Sequence, residues 1–225
     1  MSYSIQLNPR KVEAELAAYL ERWMRRAARE GKFQLDDLAR EALEHIVSRA
    51  FLAGKVKASH ETGTPWQIVG NDSSVIQETV AKFEDDFERI MRDAATTKIL
   101  ESRISWLEVT RRLQILAQML TWRSYNLGKR SEFKRSSARL LLAAQRYKYG
   151  DYYMLQTAAD DRVCGLCAPH AGLRVKDYDE LVMEIGGVPP LHIYCRCEII
   201  AIPTVPLVEK QDRFRERWER EQEEE

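Results

Sequence analysis

The sequence has 225 residues, which is enough for one sizeable hydrophobic core or for two modest domains. Its 35 basic and 35 acidic residues balance, so no overall field attracts nucleic acid or an acidic substrate, and any basic surface must be local. No apolar run is long enough to span a bilayer, so we expect no membrane partner.

Residues 9–53 have the pattern of two helices. Asn8 followed by Pro9 is typical of a helix start, and Gly31 is expected to end this first helix. A second helix is predicted over residues 35–52. The apolar positions are Val12, Leu16, Tyr19, Leu20 and Trp23 in the first helix and Leu35, Leu38, Ala42, Leu43, Ile46, Val47 and Ala50 in the second.

Residues 54–73 are predicted to form a long connection, because Gly, Thr and Pro punctuate them. Trp66, Ile68 and Val69 within it are expected to fasten the segment to the protein's own core, and docking on a partner is the alternative. His45 stands alone on its helix and is expected to be a surface or core residue without a ligand role.

Two long helices are predicted next. The first runs from Ser74 to about Lys98, with Ser74 and Gln77 as a capping box and its charged side in solvent. The second covers about Ser105 to Asn126. The two are expected to pair as an antiparallel hairpin, with a single kinked rod as the alternative. Their apolar positions are Ile76, Val80, Phe83, Phe87, Ile90 and Ala94, then Leu107, Leu113, Leu116, Leu120 and Trp122.

The segment 123–139 is locally basic, and Gly128 is expected to interrupt its helical pattern. Such a segment can contact phosphates, so DNA contact is one hypothesis. Spread around a helix, however, the charges would not form one patch, which favours a solvated face or a protein contact. A further helix is predicted over residues 137–147. The basic residues are Arg123, Lys129, Arg130, Lys134, Arg135 and Arg139, opposed by Glu132 and interleaved with Tyr125 and Phe133.

All four cysteines lie between residues 160 and 197. Cys164 and Cys167 form a CxxC turn, and a second cluster, HxxCRC, begins at His192. Thiolates and imidazoles at this spacing are the ligands of a tetrahedral zinc ion. The candidate ligands are Cys164, Cys167 and Cys195, completed by His192 or Cys197, with His170 as a weaker substitute.

Two disulfides or free buried thiols are the alternatives to zinc. Residues 1–11 lack the apolar run of a signal peptide, so we expect a reducing compartment, which disfavours disulfides. With this many soft ligands no position need stay open for water, so a structural zinc site is favoured over a catalytic one.

A small α+β subdomain is predicted around these ligands. Residues 152–157 and 197–203 are expected to be paired strands that bring the two ligand clusters together. Arg174 and Val175 begin a short strand, Asp177 caps a helix ending near Ile185, and a rigid Gly-Pro turn follows.

The tail 207–225 is highly charged and is predicted to be a helix, or disordered in isolation. Phe214 and Trp218 would pack on a partner or on this chain. We therefore expect a mainly α protein with a helical body (1–149), a zinc-stapled α+β subdomain (150–204) and a charged tail (205–225).

Three motifs together resemble one known family. DDRVCxxC, PPLHxxCRC and the upstream WRSYNLGKR are similar to the head morphogenesis proteins of tailed bacteriophages, the minor head proteins similar to protein F of phage Mu. The resemblance covers residues 113–202, and Ile193 stands where the family often has proline. The matching positions are Asp161, Arg162, Cys164, Cys167, Pro189, Pro190, His192, Cys195, Arg196 and Cys197.

The resemblance implies a minor component of the phage head. Such a protein associates with the portal and with capsid or scaffold proteins, and assists head assembly, DNA packaging or DNA delivery. It acts in the host cytoplasm during assembly and remains in the virion, in the head interior or portal region. We expect no enzymatic activity.

The residues around the CxxC turn leave further roles open. Asp161 is expected to accept hydrogen bonds from the backbone of the turn, and Arg162 or Arg196 to pair with thiolates or carboxylates or to bind a partner. A zinc-dependent hydrolase or nuclease, with His170 or Glu184 as base, is one alternative. A zinc-ribbon nucleic-acid-binding protein is the other, although acidic residues surround the turn.

Overall fold

The computed structural model describes residues 8–30, 35–96, 103–137, 140, 153–192 and 195–224. Within these residues the protein is mainly helical with one small antiparallel sheet, which confirms the predicted fold class. None of the described helices is long and apolar enough to cross a membrane. The elements are α1 (Pro9–Glu30), α2 (Asp37–Thr62), α3 (Asn71–Thr96), α4 (Arg103–Arg135), β1 (Tyr153–Gln156), β2 (Arg174–Val175), α5 (Tyr178–Glu184), β3 (Glu198–Ala201) and α6 (Val205–Glu223).

The chain divides into two compact units. The first comprises residues 1–53 and 68–125, and the second comprises residues 54–67 and 126–225. The second unit therefore contains the C-terminal ends of α2 and α4, which the sequence pattern assigned to the helical body. The predicted organisation into three parts stays a prediction.

The core of the first unit is built from apolar faces of α1 to α4. α1 begins as predicted, because the Asn8 side-chain oxygen accepts the Arg10 N–H at 3.0 Å. Trp23 of α1 packs edge-on against Phe87 of α3, with ring centroids 5.0 Å apart. The buried residues of this core include Val12, Leu16, Leu20, Trp23, Leu43, Ile46, Val47, Val80, Phe83, Phe87, Met91, Val109, Leu113, Ala117 and Leu120.

Helices α3 and α4 contribute to the same core, as a helical hairpin requires. Their connection, residues 97–102, lies outside the described residues, so the predicted antiparallel pairing stays a prediction. The isolated His45 is exposed on α2, as expected for a surface residue.

Two residues predicted for apolar faces, Leu38 and Leu107, are exposed instead. Leu107 lies two positions before the buried Val109, which is about 200° around the helix and therefore on its opposite side. Leu38 precedes the buried stripe of α2, which starts at Ala39. The Asp36 carboxylate accepts the Ala39 N–H at 2.7 Å and caps the helix there.

The predicted capping box at Ser74 and Gln77 is wrong, because α3 begins earlier, at Asn71. The buried Asp72 carboxylate in the first turn accepts the Val69 N–H at 2.9 Å and so connects the helix start to the preceding loop. Ser74 lies inside the first turn and donates to the Asn71 carbonyl at 2.9 Å.

The predicted long connection is mostly wrong, because α2 continues to Thr62 and leaves only a short loop before α3. Ala58 on this part of α2 is buried, as is Phe51 just before it, and this burial outweighs the roughly 1 kcal/mol that a helical Gly54 costs. Gly63, at φ +65°, supplies the left-handed residue that commonly follows a helix.

The expectation that the loop's apolar residues fasten it to the core is also wrong for two of them. Trp66 is 43% exposed and Ile68 is 67% exposed. Only Val69 is half-buried.

Helix α4 continues past both Asn126, its predicted end, and Gly128, its predicted interruption. Tyr125 and Phe133 on either side of the glycine are buried, so tertiary packing outweighs its low helix propensity. The further helix predicted over residues 137–147 lies almost entirely outside the described residues.

The second unit contains a three-stranded antiparallel sheet in the order β2–β1–β3. Tyr153 pairs with Ala201 and Gln156 with Glu198, which confirms the predicted pairing of the two strands. Successive side chains of β1 point to opposite faces of the sheet. Leu155 is buried in the main core of this unit, and Met154 is buried on the other face, where Val208 of α6 covers it.

The short elements around the sheet form as predicted. Asp177 caps α5 by accepting the Glu180 N–H at 2.9 Å. Gly186 and Gly187 adopt φ values of +78° and +150° in the turn that follows, and the peptide bond between Pro189 and Pro190 is cis.

The tail is helical and packs on its own chain. Phe214 of α6 is buried against Ala168 and Ala171, which follow the CxxC turn, and Trp218 lies beside them half-buried. Packing within the chain is thus the alternative that the structure supports.

Candidate metal centre

Two similar turns present the candidate ligands. In the first, the Cys164 carbonyl accepts the N–H groups of Cys167 and Ala168, both at 3.0 Å. In the second, the His192 carbonyl accepts the Cys195 N–H at 3.1 Å. Each turn therefore brings two donor side chains, three residues apart, to the same side of the backbone.

The side chains of the two turns face one another. The Cys164 sulfur lies 2.9 Å from His192 Nε2, the Cys167 sulfur lies 3.1 Å from the same nitrogen, and the Cys167 and Cys195 sulfurs are 3.8 Å apart. Tetrahedral zinc with bonds of about 2.3 Å to sulfur and about 2.0 Å to nitrogen separates two sulfurs by about 3.8 Å and sulfur from nitrogen by about 3.5 Å. The sulfur–sulfur distance fits zinc directly, and the imidazole would have to move by roughly 0.5 Å.

The structure brings the five predicted ligands into two overlapping groups of three and not into a single group. Two groups, Cys164–Cys167–His192 and Cys167–Cys195–Cys197, each have their ligand atoms within 4.8 Å of one another, and Cys167 belongs to both. The cavity between them has a volume of about 10 Å³, which is space for one water-sized species. The donor set and its size fit a metal ion, while ligation itself stays a prediction.

No disulfide joins any of the four cysteines, so the disulfide alternative is wrong. A hydrogen bond with Cys167 lowers the pKa of the Cys195 thiol, and the same contact raises the pKa of Cys167. One thiolate is thus stabilised by a neighbouring thiol inside the cluster, and metal ligation requires thiolates.

Asp160, and not the predicted Asp161, connects the two turns. The Asp160 carboxylate accepts the Arg162 N–H at 3.0 Å and binds the Arg196 guanidinium through two contacts of 2.9 and 2.7 Å. These contacts hold the pKa of Asp160 well below its usual range, the Arg196 hydrogen bond contributing most. Asp161 is 93% exposed at its side chain and pairs with Arg217 of α6 at 3.1 Å.

Helix α6 closes against the segment that follows the CxxC turn. The buried Gln211 side chain accepts the Thr157 N–H at 3.1 Å and donates to the Thr157 carbonyl at 3.0 Å. Gly172 has φ +72°, and a Cβ there would lie 3.0 Å from Gln211 Cβ. The sequence did not indicate these residues, because a single glutamine or glycine carries no local signal for a contact with a residue as far along the chain as Thr157 is from Gln211.

Most of the basic segment 123–139 is engaged with carboxylates of the second unit. Lys129 contacts Glu61 and Glu198, Arg130 and Lys134 both contact Asp179, and Arg135 contacts Glu132. Arg123 is exposed, and Arg139 lies outside the described residues. The structure thus pairs four of the six basic side chains, which favours an internal role for them.

The residues proposed for a catalytic alternative lie apart from the ligand atoms. His170 is half-buried in a single 3-10 turn, and Glu184 is exposed at the end of α5. Neither belongs to the donor groups that the described residues bring within 4.8 Å.

The architecture defines a class of mainly helical proteins with a small sheet whose Cys and His residues could hold a metal ion. The family model described as Phage Mu protein F like protein matches residues 89–200, which include the end of α3, all of α4 and all five candidate ligands. On this match the chain belongs to that family, a phage head morphogenesis family, and this implies a location in the virion. No curated protein and no solved structure matches the chain.

Proposed function

We propose that the protein is a minor, non-enzymatic component of the phage head that assists head assembly, DNA packaging or DNA delivery. Its partners would be the portal protein and capsid or scaffold proteins. The observation that carries the proposal is that the metal-ligand cluster, residues 164–197, lies entirely within the segment 89–200 that matches the head-protein family.

We propose further that the cluster holds one structural zinc ion through Cys164, Cys167, His192 and Cys195. These are the four side chains that the two similar turns present, and four protein ligands leave no open position. Cys197 lies between the second turn and β3, where it is buried and close to the Cys167 and Cys195 sulfurs.

When bound, the ion would supply a crosslink between the two turns. Side chains of the protein itself stabilise the two turns around the ion. Asp160 connects the turns through Arg196, and Phe214 of α6 covers Ala168 and Ala171. A small α+β unit buries little apolar surface by itself, so such a crosslink supports a rigid surface for head partners.

We do not extend the proposal to direct DNA contact by the segment 123–139. Four of its six basic side chains already pair with carboxylates in the same unit. Releasing them to phosphates would leave carboxylates such as the fully buried Glu132 without their cation.

Complementation of a phage that lacks this gene tests the proposed function. We expect the wild-type chain and Cys197→Ser to restore infectious particles, and Cys164→Ser to fail. Electron microscopy and DNA content of the particles separate the three roles: absent or aberrant heads indicate assembly, empty heads indicate packaging, and filled but non-infectious particles indicate delivery.

Two outcomes would contradict the proposal. Normal infectious particles without the gene product would exclude a role in the head. Full complementation by Cys164→Ser would exclude a requirement for the metal centre while leaving the head role intact.

A further inference from the structure

A fully buried lysine connects two helices to the strand that follows the second ligand turn. Lys129 of α4 has no exposed surface, and its Nζ lies 2.8 Å from Glu61 Oε1 of α2 and 3.1 Å from Glu198 Oε2 of β3. It also lies over the Phe133 ring, 5.6 Å from the centroid. Burying an ammonium group is costly unless it is paired, so these carboxylates are required for its placement.

The contacts of Glu61 extend this connection to the backbone of β3. Its second oxygen, Oε2, accepts the Ala201 N–H at 3.0 Å. β3 is therefore held by side-chain contacts at both ends, at the Glu198 carboxylate and at the Ala201 N–H, while its backbone pairs with β1. Lys129 contacts both carboxylates and so links the two ends of β3, while Lys57 is a second and more distant cation beside Glu61, at 3.8 Å.

β3 is the direct continuation of the second ligand turn. Glu198 directly follows Cys197 and lies three residues after Cys195. When the position of Glu198 is constrained, the backbone that carries the Cys195 and Cys197 side chains is constrained as well. The backbone pairing of Glu198 with Gln156 of β1 supplies the second constraint on that path.

We propose that Lys129 is a positioning residue for the metal centre: it holds β3, through Glu61 and Glu198, in the place that brings Cys195 toward Cys167. The proposal rests on the proposed zinc site. It assigns to the helix α4 a role in the site's geometry, although no residue of α4 belongs to the donor groups of the described residues.

The test compares Lys129→Met with Lys134→Met in the full chain. Lys134 lies on the same helix and also pairs with a carboxylate, but its side chain is 52% exposed and its partner is Asp179 of α5. Zinc affinity is measured by competition with a chromophoric chelator. The thiolate-to-metal absorption of the cobalt-substituted protein reports the coordination geometry.

We expect Lys129→Met to weaken zinc binding by about tenfold, the lower end of the effect of outer-shell substitutions, and to alter the cobalt spectrum. Lys134→Met should bind zinc within about twofold of wild type. Glu198→Gln preserves the side-chain shape and removes one charge from the pair, so it provides a second variant if Lys129→Met does not fold. It should also weaken binding and alter the spectrum.

Equal zinc affinity and an unchanged cobalt spectrum in the folded Lys129→Met or Glu198→Gln variant would overturn the positioning role while leaving the zinc centre intact. An equal loss in Lys134→Met would overturn it as well, because the effect would then be general destabilisation. If the wild-type chain binds no zinc, the proposed metal centre fails, and the positioning role fails with it.

Discussion

Asp160 is the residue that joins the two ligand turns. It contacts the backbone of the first turn at Arg162 and the guanidinium of Arg196 in the second. Its neighbour Asp161 faces solvent. The sequence does not distinguish the two aspartates, because the backbone conformation of the turn determines which carboxylate faces the metal-ligand cluster.

The pH dependence of Asp160 follows from these contacts. Because the pKa of Asp160 is lowered in the folded protein, its stabilising contribution is complete above the usual Asp pKa of about 3.9 and is lost as pH falls through the folded-state value. We expect a carbon-13 carboxyl titration to give a midpoint below the usual range. Arg196→Gln should raise it, and an unchanged midpoint in that variant would contradict the assigned cause.

Gln211 acts as a buried clamp between α6 and the end of β1. It makes hydrogen bonds with the N–H, the hydroxyl and the carbonyl of Thr157. We expect Gln211→Leu to lower the free energy of unfolding by about 2 kcal/mol, because buried Thr157 groups lose their partner. Gln222→Leu, at an exposed position of the same helix, is the control for denaturant unfolding. Equal stabilities of the two variants would contradict the clamp.

At the scale of elements, Gly172 sets how closely α6 approaches the segment after the CxxC turn. Its φ is positive, and a methyl group at this position would lie only 3.0 Å from Gln211 Cβ, so both features oppose any side chain there. We expect Gly172→Ala to cost about 2 kcal/mol or more of unfolding free energy, since backbone strain and contact add.

Two other glycines separate these contributions. Gly63 has a similar φ of +65° but open space around it, so Gly63→Ala measures the backbone strain, about 1 kcal/mol. Gly165 has neither feature and should tolerate alanine. If Gly172→Ala costs no more than Gly63→Ala, the close contact with α6 does not constrain this position.

The elements also show what local sequence can and cannot predict. The spacing of Cys164, Cys167, His192 and Cys195 indicates one site, and the pairing of β1 with β3 follows because the two clusters have to meet. The continuation of α2 to Thr62 could not be predicted in the same way. It depends on long-range contacts, such as that of Glu61 with Lys129, for which local propensity carries no signal.

The same reason accounts for α4. Gly128 and the surrounding charges indicate a break when the segment is considered alone, yet Phe133 packs 5.5 Å from the Tyr153 ring and 5.9 Å from the Tyr178 ring. The basic residues nearby have acidic partners on α2, α5 and β3, so their apparent positive charge is largely neutralised.

At the scale of the whole molecule, the family match and the ligand cluster coincide in one segment. We propose that the cluster is a structural zinc centre that keeps the second unit folded and its surface available to head partners. Metal content of the purified chain is the measurement that tests this claim most directly, with Cys164→Ser, Cys195→Ser and Cys197→Ser measured alongside.

We expect elemental analysis to find one zinc ion per wild-type chain and per Cys197→Ser chain, and none in Cys164→Ser or Cys195→Ser. Loss of the metal should also expose the amides of β1, β3 and α6 to hydrogen exchange, because the crosslink between the turns is gone. A folded, reduced wild-type chain without bound metal would contradict the proposed zinc centre.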